Sequence, residues 1–133
     1  MTSSLDDARG RPFSDAQGRP VRLGAVGYLN ARPLTWALDR SPEQWRIRYD
    51  VPSVCSTLLH EGQVSLGLIP SIDYLQSPDY RFVSGVGIGS RGPIASVALF
   101  TRVPLGDVKR IALDTSSRTS VALVRVLCHH RFR

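Results

Sequence analysis

The chain has 133 residues, 42% of them hydrophobic, which is enough to build the buried core of one domain and excludes a wholly disordered protein. Its 17 Lys and Arg residues exceed its 11 Asp and Glu residues, and the resulting net charge of +6 favours anionic partners. The basic residues are scattered along the chain and are nearly all Arg, so no segment looks like a nucleic-acid-binding tail.

Cysteine usage and hydropathy exclude further classes. Cys55 and Cys128 lie far apart and outside any Cys-x-x-Cys motif, so the sequence predicts neither a disulfide framework nor a zinc site. No segment has the apolar length of a membrane span, and residues 1–20 lack the apolar stretch of a secretory signal. We therefore expect a cytoplasmic protein that binds no metal, membrane or nucleic acid.

The first half of the chain alternates strand and helix patterns. Residues 1–20 contain few large apolar side chains, which predicts a disordered tail. The apolar segment 21–29 predicts a buried strand. A helix is expected over 30–38, because Pro33 suits a first helical turn, and an alternating strand pattern follows at 46–51.

The alternation continues through the middle of the sequence. A second helix is predicted to begin at Pro52 and to stop at Gly62. Segment 64–71 has the nearly continuous apolar pattern of a strand inside a parallel sheet, and 71–76 predicts a short helical turn.

Three more strands and one helix are predicted in the second half. The strand patterns lie at 80–89, 94–101 and 111–114, and residues 115–130 change from hydroxyl-rich to apolar at helical spacing. The complete order, β-α-β-α-β-α-β-β-β-α, predicts an α/β fold with a mainly parallel sheet.

A glycine motif and three histidines could indicate cofactor or metal chemistry. Gly87, Gly89 and Gly92 match Gly-x-Gly-x-x-Gly, but Pro93 leads into a strand pattern rather than the helix that a dinucleotide site requires. The histidines have no metal-ligand spacing. We expect no cofactor.

Polar side chains recur where a predicted strand passes into a helix. Asn30, Ser53, Ser71 and the cluster at 114–120 occupy four such junctions. Four polar junctions on one α/β sheet are typical of a ligand crevice. Ordinary helix capping remains an open alternative for Asn30.

The last junction carries three hydroxyls, those of Ser117, Thr119 and Ser120. They would lie beside the unpaired N–H groups of a first helical turn and form a cradle for a carboxylate or phosphate. Capping explains these residues equally well.

Five ordered motifs carry a resemblance to a known family. They are YLNARPL at 28–34, PS and LxxG within 52–62, GLIPS at 67–71 with Tyr74, GPIASV at 92–97, and LDxxSxTS at 113–120. In these motifs the chain resembles the chorismate dehydratases of the futalosine route to menaquinone.

The resemblance implies a type II periplasmic-binding-protein-like fold, in which two α/β lobes hold the substrate between them. It implies that residues 21–95 form most of the first lobe and that 96–133 begin an incomplete second lobe. Members of that family are about twice this length, so we expect a truncated chain.

The reaction implied is the loss of water from chorismate to give 3-[(1-carboxyvinyl)oxy]benzoate, for which positioning and polarisation suffice because the product is aromatic. The resemblance assigns Asn30 and Ser96 as catalytic residues that hydrogen-bond the departing hydroxyl or its neighbours. It assigns five residues to substrate binding: Ser71, Gly92, Ser117, Thr119 and Ser120. Since neither catalytic residue is a strong base, a substrate carboxylate is expected to accept the ring proton.

Two arginines near these motifs, Arg32 and Arg118, could add positive charge, but we expect both to point into solvent. Three alternatives remain open for the function. The chain could resemble the sibling 1,4-dihydroxy-6-naphthoate synthase, be a non-catalytic domain that binds small anions, or be an inactive fragment. The absence of an export signal disfavours a solute-binding domain.

Overall fold

A computed structural model describes residues 17–94 and 97–131. Within them, a three-stranded sheet has the order β2-β1-β3, with β1 at Val21–Val26, β2 at Trp45–Asp50 and β3 at Leu66–Gly67. Both strand pairings are parallel. The predicted α/β class with a parallel sheet is confirmed.

Strand β1 is buried because it has a strand on each side and a helix packed across it. Its last four residues are all buried, and Val26 forms a small core with Ala31 and Cys55. The packed helix is α2 (Pro52–His60), which directs Cys55 and Leu58 towards the sheet. This sheet and helix contain most of the buried side chains of the described residues.

Helix α2 begins and ends where the sequence predicts. Gly62 has a φ of +69°, a conformation that glycine adopts without the steric cost of a Cβ. Its N–H donates to the carbonyl of Leu59, and the N–H of Gln63 donates to the carbonyl of Leu58. These two bonds form a Schellman motif, which satisfies carbonyls that the helix end would otherwise leave unpaired.

The helix predicted over 30–38 is divided into three short pieces. A 3₁₀ turn at Leu29–Ala31 precedes α1 (Arg32–Thr35), and a second 3₁₀ turn follows at Leu38–Arg40. Pro33 lies in the first turn of α1, as predicted. Because Pro33 has no N–H, it cannot donate to the carbonyl of Leu29, which accepts the N–H of Arg32 in a 3₁₀ turn instead.

The three strands predicted at 80–89, 94–101 and 111–114 are wrong for every residue that the structure describes. Residues 95 and 96 and the tail residues 1–16 lie outside the described residues. A strand needs a partner to satisfy its backbone groups, and no other described segment pairs with these three. Segment 64–71 likewise contributes only the two residues of β3 to the sheet.

The last helix, α3 (Arg118–Arg131), begins within the hydroxyl-rich cluster at 114–120 that the sequence predicts to open it. The N–H and hydroxyl of Ser116 both donate to Asp114 Oδ1, so the chain forms a turn before the helix. The helix packs against a 3₁₀ turn at Ser71–Gln76 and leaves Leu123 and Leu127 about half exposed on one face. No helix in the described part of the chain could span a membrane.

Candidate functional site

The carboxyl ends of β1, β2 and β3 lie at one edge of the sheet, because all three strands are parallel. The segment after each strand carries one predicted junction residue: Asn30 after β1, Ser53 after β2 and Ser71 after β3. The topology therefore places three of the four junctions at the same edge, where open α/β sheets bind ligands.

Asn30 lies in the 3₁₀ turn that directly follows β1, and its side chain is exposed. The residue before this turn is Tyr28 and the one before α1 is Ala31, and neither helical segment has a side-chain capping bond. Asn30 thus does not cap a helix, which removes the capping alternative and leaves its amide available to a ligand.

The two serines have different surroundings. Ser71 is the first residue of the 3₁₀ turn after β3 and is exposed. Ser53 lies in the first turn of α2 and is half-buried, and its carbonyl accepts a hydrogen bond from Thr57 Oγ1 at 3.2 Å. Of these two residues, Ser71 is the better placed for a ligand.

The start of α3 brings the predicted hydroxyls together. Ser117 Oγ lies 2.7 Å from Ser120 Oγ, and the carbonyl of Ser117 accepts the N–H of Val121 as the first bond of the helix. Thr119 lies between them and is half-buried. The hydrogen bonds from Ser116 hold the pKa of Asp114 below its usual value, so this carboxylate stays ionised.

Arg118 does not extend freely into solvent, which corrects the prediction made for it. Its Nη1 lies 3.2 Å from Asp73 Oδ2 and 3.4 Å from Ser56 Oγ, and its Nη2 lies 3.4 Å from Thr57 Oγ1. Its side chain is only 35% exposed, since α3 packs against the turn at 71–76 and the guanidinium has polar partners on that turn and on α2.

Arg32 is closer to the prediction, with a side chain that is 55% exposed. It lies 3.6 Å from Asp39 Oδ2, and its guanidinium lies 5.5 Å from the centre of the Tyr49 ring. These exposed contacts are of the kind that contribute little to stability.

The other predicted site residues are not joined to this cluster. Gly92 is exposed with a φ of +84°, and a Cβ built on it would meet no atom within 4 Å. Ser96 lies outside the described residues. The structure therefore joins the turn that carries Ser71 to the start of α3 through Asp73 and Arg118, and it leaves Gly92 in open surroundings.

Comparison with known proteins decides the family. The family model for menaquinone biosynthesis matches residues 21–133, which is most of the chain. The chain belongs to the menaquinone biosynthesis family. The resemblance found in the five sequence motifs is thereby confirmed.

One curated relative of this family member is the chorismate dehydratase of Thermus thermophilus. The two are 36% identical over 110 residues, which cover 82% of this chain and 40% of the relative. The chain thus spans about two fifths of the length of that relative. No solved structure gives a significant match.

Two surface grooves of this menaquinone-biosynthesis family member lie away from the junction residues. One, of about 250 Å³, is bordered by Arg22, Arg46 and Arg48, and the other, of about 500 Å³, lies within 98–112. Neither is lined by Asn30 or by the residues at the start of α3. Asn30 and the residues at the start of α3 thus lie outside these two grooves.

Among the described residues, no group of three His, Cys, Asp or Glu side chains is arranged to hold a metal ion. His60 Nδ1 instead lies 3.2 Å from the hydroxyl of Tyr80. Cys55 is fully buried with its Sγ 3.4 Å from the carbonyl of Ala25, and this burial raises the pKa of the thiol. A buried thiol that stays protonated has no nucleophilic role.

Sequence reasoning missed Asp73, whose side chain is 2% exposed. One signal could have found it: a single acidic residue at the third position of the turn 71–76, directly after an apolar strand pattern. An acid folded into such an environment needs a cation or donors. The sequence does not show that the partner is Arg118, 45 residues away.

Proposed function

We propose that this chain functions as a chorismate dehydratase, removing water from chorismate to give 3-[(1-carboxyvinyl)oxy]benzoate. The observation that carries the proposal is the 36% identity, over 82% of the chain, to a protein named chorismate dehydratase. The substrate is a small dianion, which fits the net charge of +6. The proposed enzyme is a hydro-lyase that requires no cofactor.

The proposal includes a two-lobed fold. Residues 21–95 would form most of a first α/β lobe and 96–133 would begin a second, with chorismate between them. The parallel sheet and its polar carboxyl edge support the first lobe as the floor of the site. The exposure of Asn30 and Ser71 at that edge also supports a site that a second lobe covers.

Substrate binding is assigned to hydroxyls and helix N–H groups. Ser71 and the cluster of Ser117, Thr119 and Ser120 would donate hydrogen bonds to substrate carboxylates. Helix α3 has 14 residues, and the positive end of its dipole lies at this cluster. Gly92, with its positive φ and no side chain, would let the backbone approach the substrate.

Catalysis is assigned to Asn30 and Ser96, which would hydrogen-bond the departing ring hydroxyl and its neighbours. The ring loses this hydroxyl and one carbon-bound proton, which together leave as water, and the electron pair of the broken C–H bond enters the aromatic ring. A carboxylate of chorismate itself would accept the proton and pass it to the hydroxyl, which leaves as water with the electron pair of the broken C–O bond. Asn30 and Ser96 have no basic group at neutral pH that could take this proton instead.

The test is incubation of the purified chain with chorismate, with separation of the aromatic ether by liquid chromatography and circular dichroism to confirm folding. Formation of the ether supports the proposal. Binding without conversion would contradict the enzyme and favour a non-catalytic anion-binding domain. A folded chain that neither binds nor converts chorismate would refute both.

Site residues are tested in the same assay. Asn30→Asp and Ser96→Ala are expected to reduce turnover while substrate still binds, because they change groups that act on the departing hydroxyl. Ser65→Ala is the matched control, since Ser65 is an exposed serine before β3, at the opposite edge of the sheet. Unchanged turnover in Asn30→Asp and Ser96→Ala would remove both residues from the mechanism.

A further inference from the structure

The ion pair between Arg118 and Asp73 joins segments that are distant in sequence. Asp73 lies in the 3₁₀ turn that follows β3, and Arg118 is the first residue of α3. Asp73 is the most deeply buried charged residue in the described part of the chain, whereas the Arg118 side chain remains 35% exposed.

The pair is completed by neighbours on two elements, the turn at 71–76 and α2. Gln76 Nε2 donates to Asp73 Oδ1 at 2.7 Å, so each carboxylate oxygen has a donor. The guanidinium also reaches Ser56 and Thr57 on α2. One arginine therefore connects α2, the turn at 71–76 and the start of α3.

A buried ion pair of this kind adds little net stability to the fold. Removing a carboxylate from water carries a desolvation cost that the ion pair at best offsets, and apolar side chains of similar volume often stabilise as well. Its advantage is directional, because the planar guanidinium fixes several acceptors in one geometry. The contact is thus better suited to setting position than to adding stability.

The positions that it sets are those of the predicted carboxylate cradle. Ser71 lies two residues before Asp73, while Ser117 and Thr119 directly flank Arg118. We propose that the Arg118–Asp73 pair is a positioning contact that holds the start of α3 against the turn carrying Ser71, so that hydroxyls from both segments bind one substrate carboxylate. This inference rests on the proposed function of those hydroxyls.

Arg118 is a positioning residue rather than a substrate ligand, because its charge is balanced by Asp73. Loss of the pair should separate the two halves of the cradle and weaken substrate binding. Since Asn30 belongs to a different junction, we expect KM for chorismate to rise with little change in kcat.

The experiment compares Asp73→Asn, Arg118→Met and Arg118→Lys with matched controls. Asp79→Asn changes an exposed aspartate after the same turn, and Arg125→Met changes an exposed arginine on the same helix. Two quantities are measured on the folded chain: the Kd for chorismate by calorimetry, and amide hydrogen exchange over residues 119–124.

Asp73→Asn and Arg118→Met are expected to raise the Kd by about tenfold or more and to speed exchange in the first turns of α3. The Kd and the exchange rate of Arg118→Lys should lie between those of the two variants and those of the wild type. Lysine keeps the charge but loses the forked guanidinium that reaches Ser56 and Thr57. Both control variants should match the wild type.

The outcomes separate the two proposals. If exchange speeds up in the variants but the wild type does not bind chorismate, the pair holds α3 and the proposed function is wrong. If the wild type binds chorismate and the variants bind equally well below their melting temperatures, the positioning role is refuted. Should Asp73→Asn fail to fold, Arg118→Lys gives the same decision.

Discussion

Residues 21–77 and residues 78–117 both contain alternating and continuous apolar segments, but only the first region buries them. Every fully buried side chain among the described residues lies between Leu23 and Asp73. In the second region Phe82 is 74% and Phe100 is 90% exposed. The first region has three strands and a helix that cover one another, whereas the second has no paired strand among its described residues.

The difference shows what an apolar pattern specifies. Alternation makes a segment able to join a sheet, but the strand forms only when another segment offers a free edge in the right place. The second region is tied to the first at a few points, such as the edge-to-face contact of Phe82 with Tyr74. The two regions should therefore differ in stability as they differ in burial.

Amide hydrogen exchange should show the largest contrast. The amides of β1 pair with two strands, while those of 97–103 have no strand partner, so exchange in β1 should be slower by a factor of about 10³ or more. Exchange is measured by mass spectrometry after proteolysis. Equal protection of the two segments would mean that the second region is folded as stably as the first.

Truncation of apolar side chains should give the second largest contrast between the two regions. Leu58 is 5% exposed on α2, and Leu58→Ala is expected to lower the free energy of unfolding by about 2–5 kcal/mol. Phe100→Ala removes a larger side chain that is almost fully exposed. This variant should change the free energy of unfolding by less than about 0.5 kcal/mol. Urea unfolding followed by circular dichroism measures both, and a similar loss in the two variants would contradict the comparison.

Two glycines with positive φ give a smaller contrast. Gly62 ends α2 and Gly92 lies in the second region, with φ values of +69° and +84°. A Cβ meets no atom at either position, so alanine adds backbone strain alone. Gly62→Ala should cost about 1–2 kcal/mol of unfolding free energy, because the strain lies in the cooperative unit. Gly92→Ala should leave the unfolding midpoint in urea unchanged. If both variants lowered this midpoint by the same amount, the two regions would not differ in stability.

The smallest expected effect is the contribution of a cysteine to the pH dependence of the free energy of unfolding. Burial raises the pKa of the Cys55 thiol, so folding favours the protonated form. Its contribution to stability is complete below the ordinary thiol pKa of 9.0 and is lost as the pH rises through the higher folded value. The free energy of unfolding should therefore fall more steeply above pH 9.0 in the wild type than in Cys55→Ala.

Cys128→Ala is the control for this measurement, because Cys128 lies half-buried on α3. It should keep the steep decrease of the wild type. A wild type and a Cys55→Ala variant with parallel pH profiles would show that the Cys55 thiol is not desolvated on folding.

Local sequence signals predicted much of the first region. The apolar run of β1, Pro52 at the start of α2 and Gly62 at its end each act through the backbone or through nearest neighbours, so their effect is visible in the sequence. The same holds for the junction positions of Asn30 and Ser71, because a parallel α/β alternation fixes which strand ends share an edge. The family followed from five motifs spread over the chain.

The tertiary structure alone decided which patterns became strands and where charges were paired. Strand formation in the second region depends on an available sheet edge, and the Arg118–Asp73 pair depends on α3 packing beside a turn 45 residues away. Both are long-range contacts, and a single sequence records the groups that can make them but not the distances between those groups. That is why Arg118 was expected in solvent and is instead found against a buried carboxylate.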